Sequence, residues 1–201
     1  MLKVILFLLI SSTSYGFDKC STVFRDEVKL ASYSVFYDKE KYIAHLTRLS
    51  PGDRYLRFQG MVSDEGIRNY VSGKNLFKTI FVGYFVNNVL RGAAEINLLN
   101  YDSAEIALSV ESRYQGQSVG NQLMRKAIRQ LVFRGIKTIK MSCLTKNSKV
   151  RKLILKMDGK VDYEGSEASG EIEVERDDLA FYEESIQVFE NWWTMLLGNF
   201  F

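Results

Sequence analysis

Between Ala104 and Val110 apolar and polar side chains alternate as they do in a strand, and a few residues later the period changes. Val119, Leu123, Ala127, Ile128, Leu131 and Val132 recur at helical spacing until Gly135 stops the pattern. The same reading extends along the chain. Glu27–Ser34 alternates weakly as a strand, and Asp38–Leu49 forms a helix that ends before Ser50-Pro51-Gly52. A second helix follows the N-cap pair Ser63-Asp64, with Ile67, Tyr70 and Val71 on one side. Thr79–Phe85 and Val89–Leu99 flank Asn87-Asn88, a hairpin signal, and Tyr101-Asp102-Ser103 turns the chain into the Ala104–Val110 strand. Beyond Gly135 come a strand over Ile136–Cys143 and a cap over Thr145–Ser148. A helix bearing Val150, Leu153, Ile154 and Met157 runs up to Gly159. A last hairpin pairs Lys160–Tyr163 with Glu171–Glu175, placing Ile172 and Val174 inward.

The order is strand, two helices, three strands, helix, strand, helix and two strands, an α/β (α+β) arrangement. If the 99–103 turn is tight, alternation puts Glu95, Asn97, Glu105, Ala107 and Ser109 on one face of the sheet. Ile96, Leu98, Ile106, Leu108 and Val110 then form the buried face under the 119–132 helix.

Composition adds little to this picture and charge adds more. A chain of 201 residues with 46% apolar and 25% charged residues supports one ordinary core. It divides into an apolar segment (1–18), a folded domain (19–176) and a C-terminal amphipathic helix (177–201). Twelve Lys/Arg between Asn121 and Lys160 face the single acid Asp158, whereas eleven acids between Val161 and Glu190 face only Arg176. The basic block is either two solvated helix faces or a funnel for a polyanion. Its one aromatic residue, Phe133, excludes a stacking platform for single-stranded nucleic acid. Two cysteines, Cys20 and Cys143, and one histidine, His45, supply no metal-ligand spacing, so no metal is expected. Cys143 reads as a small buried side chain, and His45 as a surface or boundary residue.

The candidate chemistry lies in Gln115-Gly116-Gln117-Ser118-Val119-Gly120, between the central strand and the basic helix. A glycine-bearing strand-to-helix turn presents unpaired N–H groups at the positive end of a helix dipole, a cradle for pyrophosphate. The loop resembles the acetyl-CoA loop of the GNAT superfamily of N-acetyltransferases, Q/R-x-x-G-x-G/A, with Gln115 first, Gly120 last and Ser118 at the middle glycine. Leu49–Phe58, Ala104-Glu105-Ile106-Ala107 and Tyr114-Gln115-Gly116 are similar to the bacterial Pat-type protein lysine acetyltransferase domain. Asn147, Lys156 and Gly159 match the family's second cofactor motif.

The resemblance implies a mixed, centrally splayed sheet of six to seven strands with helices on both faces, the acyl-CoA N-acyltransferase fold. It implies an acetyl-CoA-dependent enzyme whose acceptor is a primary amine, a protein lysine or a small molecule. Acetyl-CoA would be held by Leu108, Val110, Gln115, Gly116, Gln117, Ser118, Val119, Gly120, Asn121 and Asn147. The backbone of Leu108 and Val110 would pair with its pantetheine arm. Glu105 matches the family's general base, with desolvation and a neighbouring carboxylate expected to raise its pKa; Glu95 and Glu111 are weaker candidates. The tyrosine that many members use as general acid aligns with Ile154, leaving Tyr114 and Tyr163 as substitutes. A catalytically weak acetyl-CoA-binding regulatory module is the alternative.

The ends carry two further expectations. Met1–Gly16 resembles a short secretory signal, too short to span a bilayer. A coenzyme A enzyme needs the cytoplasmic pool, so the segment is expected to remain attached to a cytoplasmic protein. The aromatic helix of Asp177–Phe201 packs on the core or offers a dimer or membrane-surface contact.

Overall fold

A computed structural model describes residues 27–33, 35–75 and 77–175. The expected N-terminal apolar segment and C-terminal aromatic helix lie outside them. The elements are β1 (Val28–Tyr33), α1 (Val35–Thr47), α2 (Pro51–Phe58), α3 (Asp64–Ser72), β2 (Thr79–Val86), β3 (Val89–Leu98) and β4 (Ser103–Val110). They continue with α4 (Val119–Phe133), β5 (Thr138–Leu144), α5 (Ser148–Lys156), β6 (Lys160–Glu164) and β7 (Glu167–Glu173). All seven strands form one sheet in the order β1-β2-β3-β4-β5-β7-β6, antiparallel except for β4 against β5.

Three positions depart from the sequence-based expectation. The first helix ends at Thr47, before Ser50-Pro51-Gly52 as expected, but these residues also start another helix. Ser50 Oγ accepts from the Asp53 N–H at 3.1 Å, and Pro51 takes the first turn, where its missing N–H costs nothing. The resulting α2 touches both β4 and β5. Its Arg54 donates to Asp64, Thr47 O and Val62 O, tying the three helices together. Second, β7 begins at Glu167 rather than Glu171, because Ala168, Gly170 and Ile172 alternate inward along its whole length. Third, β5 starts at Thr138 rather than Ile136, the residues before it closing the turn after α4.

The β2–β3 hairpin turns on Asn87 and Asn88, both left-handed at φ 51° and 60°, a conformation asparagine tolerates better than most residues. Register then fixes the two faces. Glu95 opposes Ala107, Asn97 opposes Glu105 and Ala93 opposes Ser109, so these six share the face under α1 and α3, as the alternation predicts. The opposite face packs Ala94, Ile96, Ala104 and Ile106 beneath Val119, Leu123, Ala127 and Leu131 of α4. On the α1 face a separate core gathers Tyr42, Ile43, Leu46, Ile67, Val71, Phe81 and Leu90.

The parallel pairing of β4 with β5 is short. It comprises Ser103↔Thr138, Ala104↔Ile139 and Glu105↔Lys140, and then stops. Beyond Glu105 the strands diverge, and the sheet opens at its centre.

Candidate active site

The opening is a cleft of about 340 Å³. One wall is Ile106–Val110 of β4 and the other Met141–Cys143 of β5; Val150, Leu153 and Lys156 of α5 line it, as do Asp53, Leu56 and Arg57 of α2. A strand edge that has lost its neighbour leaves main-chain N–H and C=O groups for an extended ligand to pair with.

The loop at the mouth has the backbone conformation expected of a strand-to-helix turn at a helix N-terminus. Gly116 has φ 75°, and Ser118, the N-cap of α4, sits at φ 61°, ψ 11°. The serine at the middle-glycine position therefore holds a left-handed conformation that favours glycine. Its side chain makes no cap bond. Ser50, Ser63 and Asn147, by contrast, cap α2, α3 and α5 through their side chains. The first N–H groups of α4, which no intrahelical carbonyl can satisfy, remain available beside the cleft at the positive end of the dipole. A Cβ on Gly120 would meet nothing within 4 Å, so the loop leaves open space there.

Asn121, in the first turn of α4, has its Oδ1 buried without a hydrogen-bond partner within the protein. A buried carbonyl oxygen left unpaired is costly, and at a cleft wall it is matched to a donor such as a ligand amide. Two lysines from α5, Lys149 and Lys156, line the cleft. The basic residues Arg125, Lys126 and Arg129 of α4 do not, so the positive charge at the site comes mainly from α5 and not from α4.

Leu108, Val110, Gln115, Gly116, Ser118, Val119, Gly120, Asn121 and Asn147 all line the cleft. Gln115 Nε2 donates to Val110 O at 2.8 Å, and its Oε1 accepts from Lys149. Asn147 Oδ1 accepts from the Val150 N–H. Gln117 is turned outward, its Nε2 donating to Arg113 O. Cys143 is buried in the β5 wall, as expected, and burial pushes its thiol pKa up.

Glu105 stands at the closed end of the split and outside the lining residues; Ser142, which does line the cleft, donates to its Oε1 at 3.2 Å. The carboxylates once weighed beside it are occupied. Glu95, fully buried, accepts from Tyr42, Tyr70, Arg57, Lys74 and Asn97. Arg57 and Lys74 hold it down to about 2 despite its burial. Glu111 takes Arg48 Nε at 2.8 Å and an Arg91 nitrogen at 2.9 Å, and is likewise held to about 2 against partial burial. Neither is a base at neutral pH.

Two further expectations change. Ile154 is fully buried, wedged where a Cβ on Gly159 or Gly170 would collide with it, so its position faces the core and not the cleft. The substitutes Tyr114, packed 6.4 Å from the Tyr84 ring, and Tyr163, which accepts from Arg151, are not among the lining residues either. His45 is not a surface residue. It is fully buried, with Nε2 2.9 Å from Ser109 Oγ and Nδ1 3.4 Å from Glu111 Oε1. Its helical register with Tyr42, Leu46 and Leu49 was the available signal, since all four fall on one face.

Solved structures share this architecture at low identity. The GNAT domain of the Pat protein of S. lividans superposes with a TM-score of 0.63 at 16% identity, over 73% of this chain and 90% of that one. The PaiA N-acetyltransferase of Thermoplasma acidophilum, in complex with coenzyme A, gives 0.57 at 21% identity over 74% and 99%. The ribosomal-protein-S18-alanine N-acetyltransferase of Escherichia coli gives 0.59 at 14% identity over 74% and 94%. No curated protein matches the chain in sequence. The sequence pattern of the Acetyltransferase (GNAT) family matches residues 33–158, more than half of the chain. With the split between β4 and β5 and the uncapped helix at its mouth, that match makes this chain a member of the GNAT family of acetyltransferases.

Proposed function

We propose that the protein moves an acetyl group from acetyl-CoA to a primary amine, a protein lysine or a small molecule, by direct attack while both are bound. The observation that carries this is the cleft itself. An unpaired β4 edge runs toward the uncapped N-terminus of α4, with the orphaned Asn121 Oδ1 on its wall. That layout suits an extended amide-bearing arm ending in a pyrophosphate. Gln115, Gly116, Ser118, Val119, Gly120 and Asn121 form the phosphate cradle, with Gln117 contributing main chain only. Leu108 and Val110 offer backbone to the arm, and Asn147 and Lys149 close the mouth. Bound acetyl-CoA supplies an activated thioester carbonyl. Glu105 accepts the proton that the acceptor ammonium must lose before it can attack, reaching the cleft through the Ser142 hydroxyl or a water.

Calorimetry with acetyl-CoA and release of free thiol across a panel of amines and peptides test the assignment. Gly120→Glu folds normally, since its Cβ enters open space, yet it puts a carboxylate in the cradle and abolishes binding. Glu105→Gln keeps acetyl-CoA affinity and lowers kcat by roughly 10²–10⁴-fold. Failure of well-folded protein to bind acetyl-CoA or coenzyme A removes the proposal.

A second reading, a regulatory module that binds acetyl-CoA without turning it over, is favoured by two observations: among the described residues no tyrosine lines the cleft, and Ser118 is strained. Binding without thiol release from any acceptor selects it. We also propose a cytoplasmic location with Met1–Gly16 retained, which intact-mass analysis and fractionation of the host check.

A further inference from the structure

We propose that Ser109 and His45 form a proton relay at the cleft, which takes the second proton of the transfer from the acceptor nitrogen and returns it to the departing thiolate. The proposal rests on the transferase reading above and fills a role that reading leaves empty. Acetylation of an ammonium releases two protons from nitrogen and consumes one at sulfur. Glu105 accounts for the first. Ile154 has no proton to give, and among the described residues no tyrosine lines the cleft to serve the second.

The geometry is that of a hydroxyl, an imidazole and a carboxylate in line. Ser109 is on β4, in the strand that walls the cleft, and is among its lining residues although it is mostly buried. Its Oγ lies 2.9 Å from His45 Nε2, and Glu111 Oε1 lies 3.4 Å from Nδ1. A carboxylate facing Nδ1 keeps the proton there, so Nε2 is the acceptor of the serine hydroxyl; the tautomer is assigned from this network. The charged groups around the ring are Glu111 on the segment after β4, Arg48 on α1 and Arg91 on β3, the two arginines both bound to Glu111. Complete burial lowers the pKa of the imidazole below its ordinary value, outweighing the opposing pull of Glu111, so the ring is neutral at pH 7.

The steps balance as follows. The amine lone pair forms the nitrogen–carbon bond, leaving one surplus proton on nitrogen. That proton passes to Ser109 Oγ as the serine proton passes to His45 Nε2. The carbon–sulfur bond breaks with its electron pair on sulfur, and the imidazolium returns its proton through Ser109 to the thiolate. The products are the amide, the free thiol and, from Glu105, one proton released to solvent. The return step is downhill, because an imidazolium held below its normal pKa is a stronger acid than a thiol. Ser109 is the catalytic residue of the pair. His45 does not reach the acceptor and acts through Ser109.

The chain has a single histidine, so its imidazole nitrogens give one isolated set of NMR signals. The expected spectrum shows a proton on Nδ1 and an ionisation below pH 6.5 that coincides with the acidic limb of kcat. Ser109→Ala is expected to lower kcat about 10- to 100-fold with acetyl-CoA affinity and KM for the amine little changed, and to detach the rate profile from the His45 titration. Ser109→Thr, which keeps the hydroxyl, restores most of the rate, and the spectrum of the wild type decides the tautomer whether or not a variant folds. Turnover of Ser109→Ala within about threefold of wild type, or a proton on Nε2, overturns the relay alone. A wild-type protein that binds acetyl-CoA yet acetylates no amine overturns the transferase reading and the relay with it.

Discussion

Under α4, Val82, Ala94, Ile96, Ile106, Leu123 and Leu131 close an apolar core, whereas the face under α1 and α3 buries Glu95, Glu111 and His45 among its aliphatic and aromatic side chains. The two faces belong to the same strands, and β4 contributes alternate residues to each. The difference is one of what a defect costs. On the α4 face stability follows filled volume, and a lost methylene leaves a cavity. On the other face it follows pairing, because each buried charge is tolerable only while its partners stay in place.

The sharpest way to break the comparison is Glu95→Ala. It leaves Arg57 and Lys74 facing each other and removes the acceptor of Tyr42, Tyr70 and Asn97, and is expected to cost about 3–5 kcal/mol in urea unfolding. The double variant Glu95→Leu with Arg57→Leu is expected to recover much of that loss, which a volume-dominated site would not do. Leu123→Ala, on the α4 face, is expected to cost about 2–5 kcal/mol at any pH, with no polar substitution able to restore it.

Acid separates the faces next. Glu95 and Glu111 have folded pKa values depressed to about 2 from 4.5. Their stabilisation is therefore complete above the unfolded value and lost as pH falls from about 4.5 toward 2. His45, also depressed, is neutral in the fold while the unfolded chain takes up a proton below about 6.5, so its contribution begins to fall first. The Glu95 part amounts to about 3 kcal/mol. Denaturant melts from pH 7 to pH 3 are expected to show a steep loss in the wild type and a shallower one in Glu95→Ala, while Leu123→Ala runs parallel to the wild type. The smallest effect is Ser118→Gly. Relief of a left-handed serine, offset by the entropy of an added glycine, raises stability by no more than about 1 kcal/mol. It also tightens acetyl-CoA binding if the cradle relaxes.

Legibility in the sequence follows the same division. The α4 face was readable because period-3.6 and period-2 patterns are local, and Val119, Leu123 and Ile106 announce their side without a partner. The turn into α4 was readable for a related reason: a strand-to-helix turn with left-handed positions needs only glycines and a helix start. The α1 face was not. Glu95 and Glu111 look like surface or catalytic acids until Arg57, Lys74, Arg48 and Arg91 are known to meet them from 20 or more positions away in the chain. His45 sits on the buried stripe of α1, yet a lone histidine among charged neighbours carries no sign of the Ser109 hydroxyl that satisfies it. The helix α2 was missed although Ser50-Pro51 is a helix-start pair, because the proline was read as a stop and not as a first-turn residue. Ile154 shows the limit of motif transfer. The aligned position faces a glycine pair in the core, so whatever stood there would meet packing before chemistry.

The three-rung pairing between β4 and β5 has a mechanical consequence. It leaves β1–β4 and β5–β7 joined within the sheet by three rungs only, with α2 and the shared apolar core as the other ties. Amides on the inner edges of Ile106–Val110 and Met141–Leu144 have no partner across the gap, so they exchange with solvent as edge groups and not as the centre of a seven-stranded sheet. An extended ligand lying in the gap would pair with both edges at once, and exchange would then slow on both together.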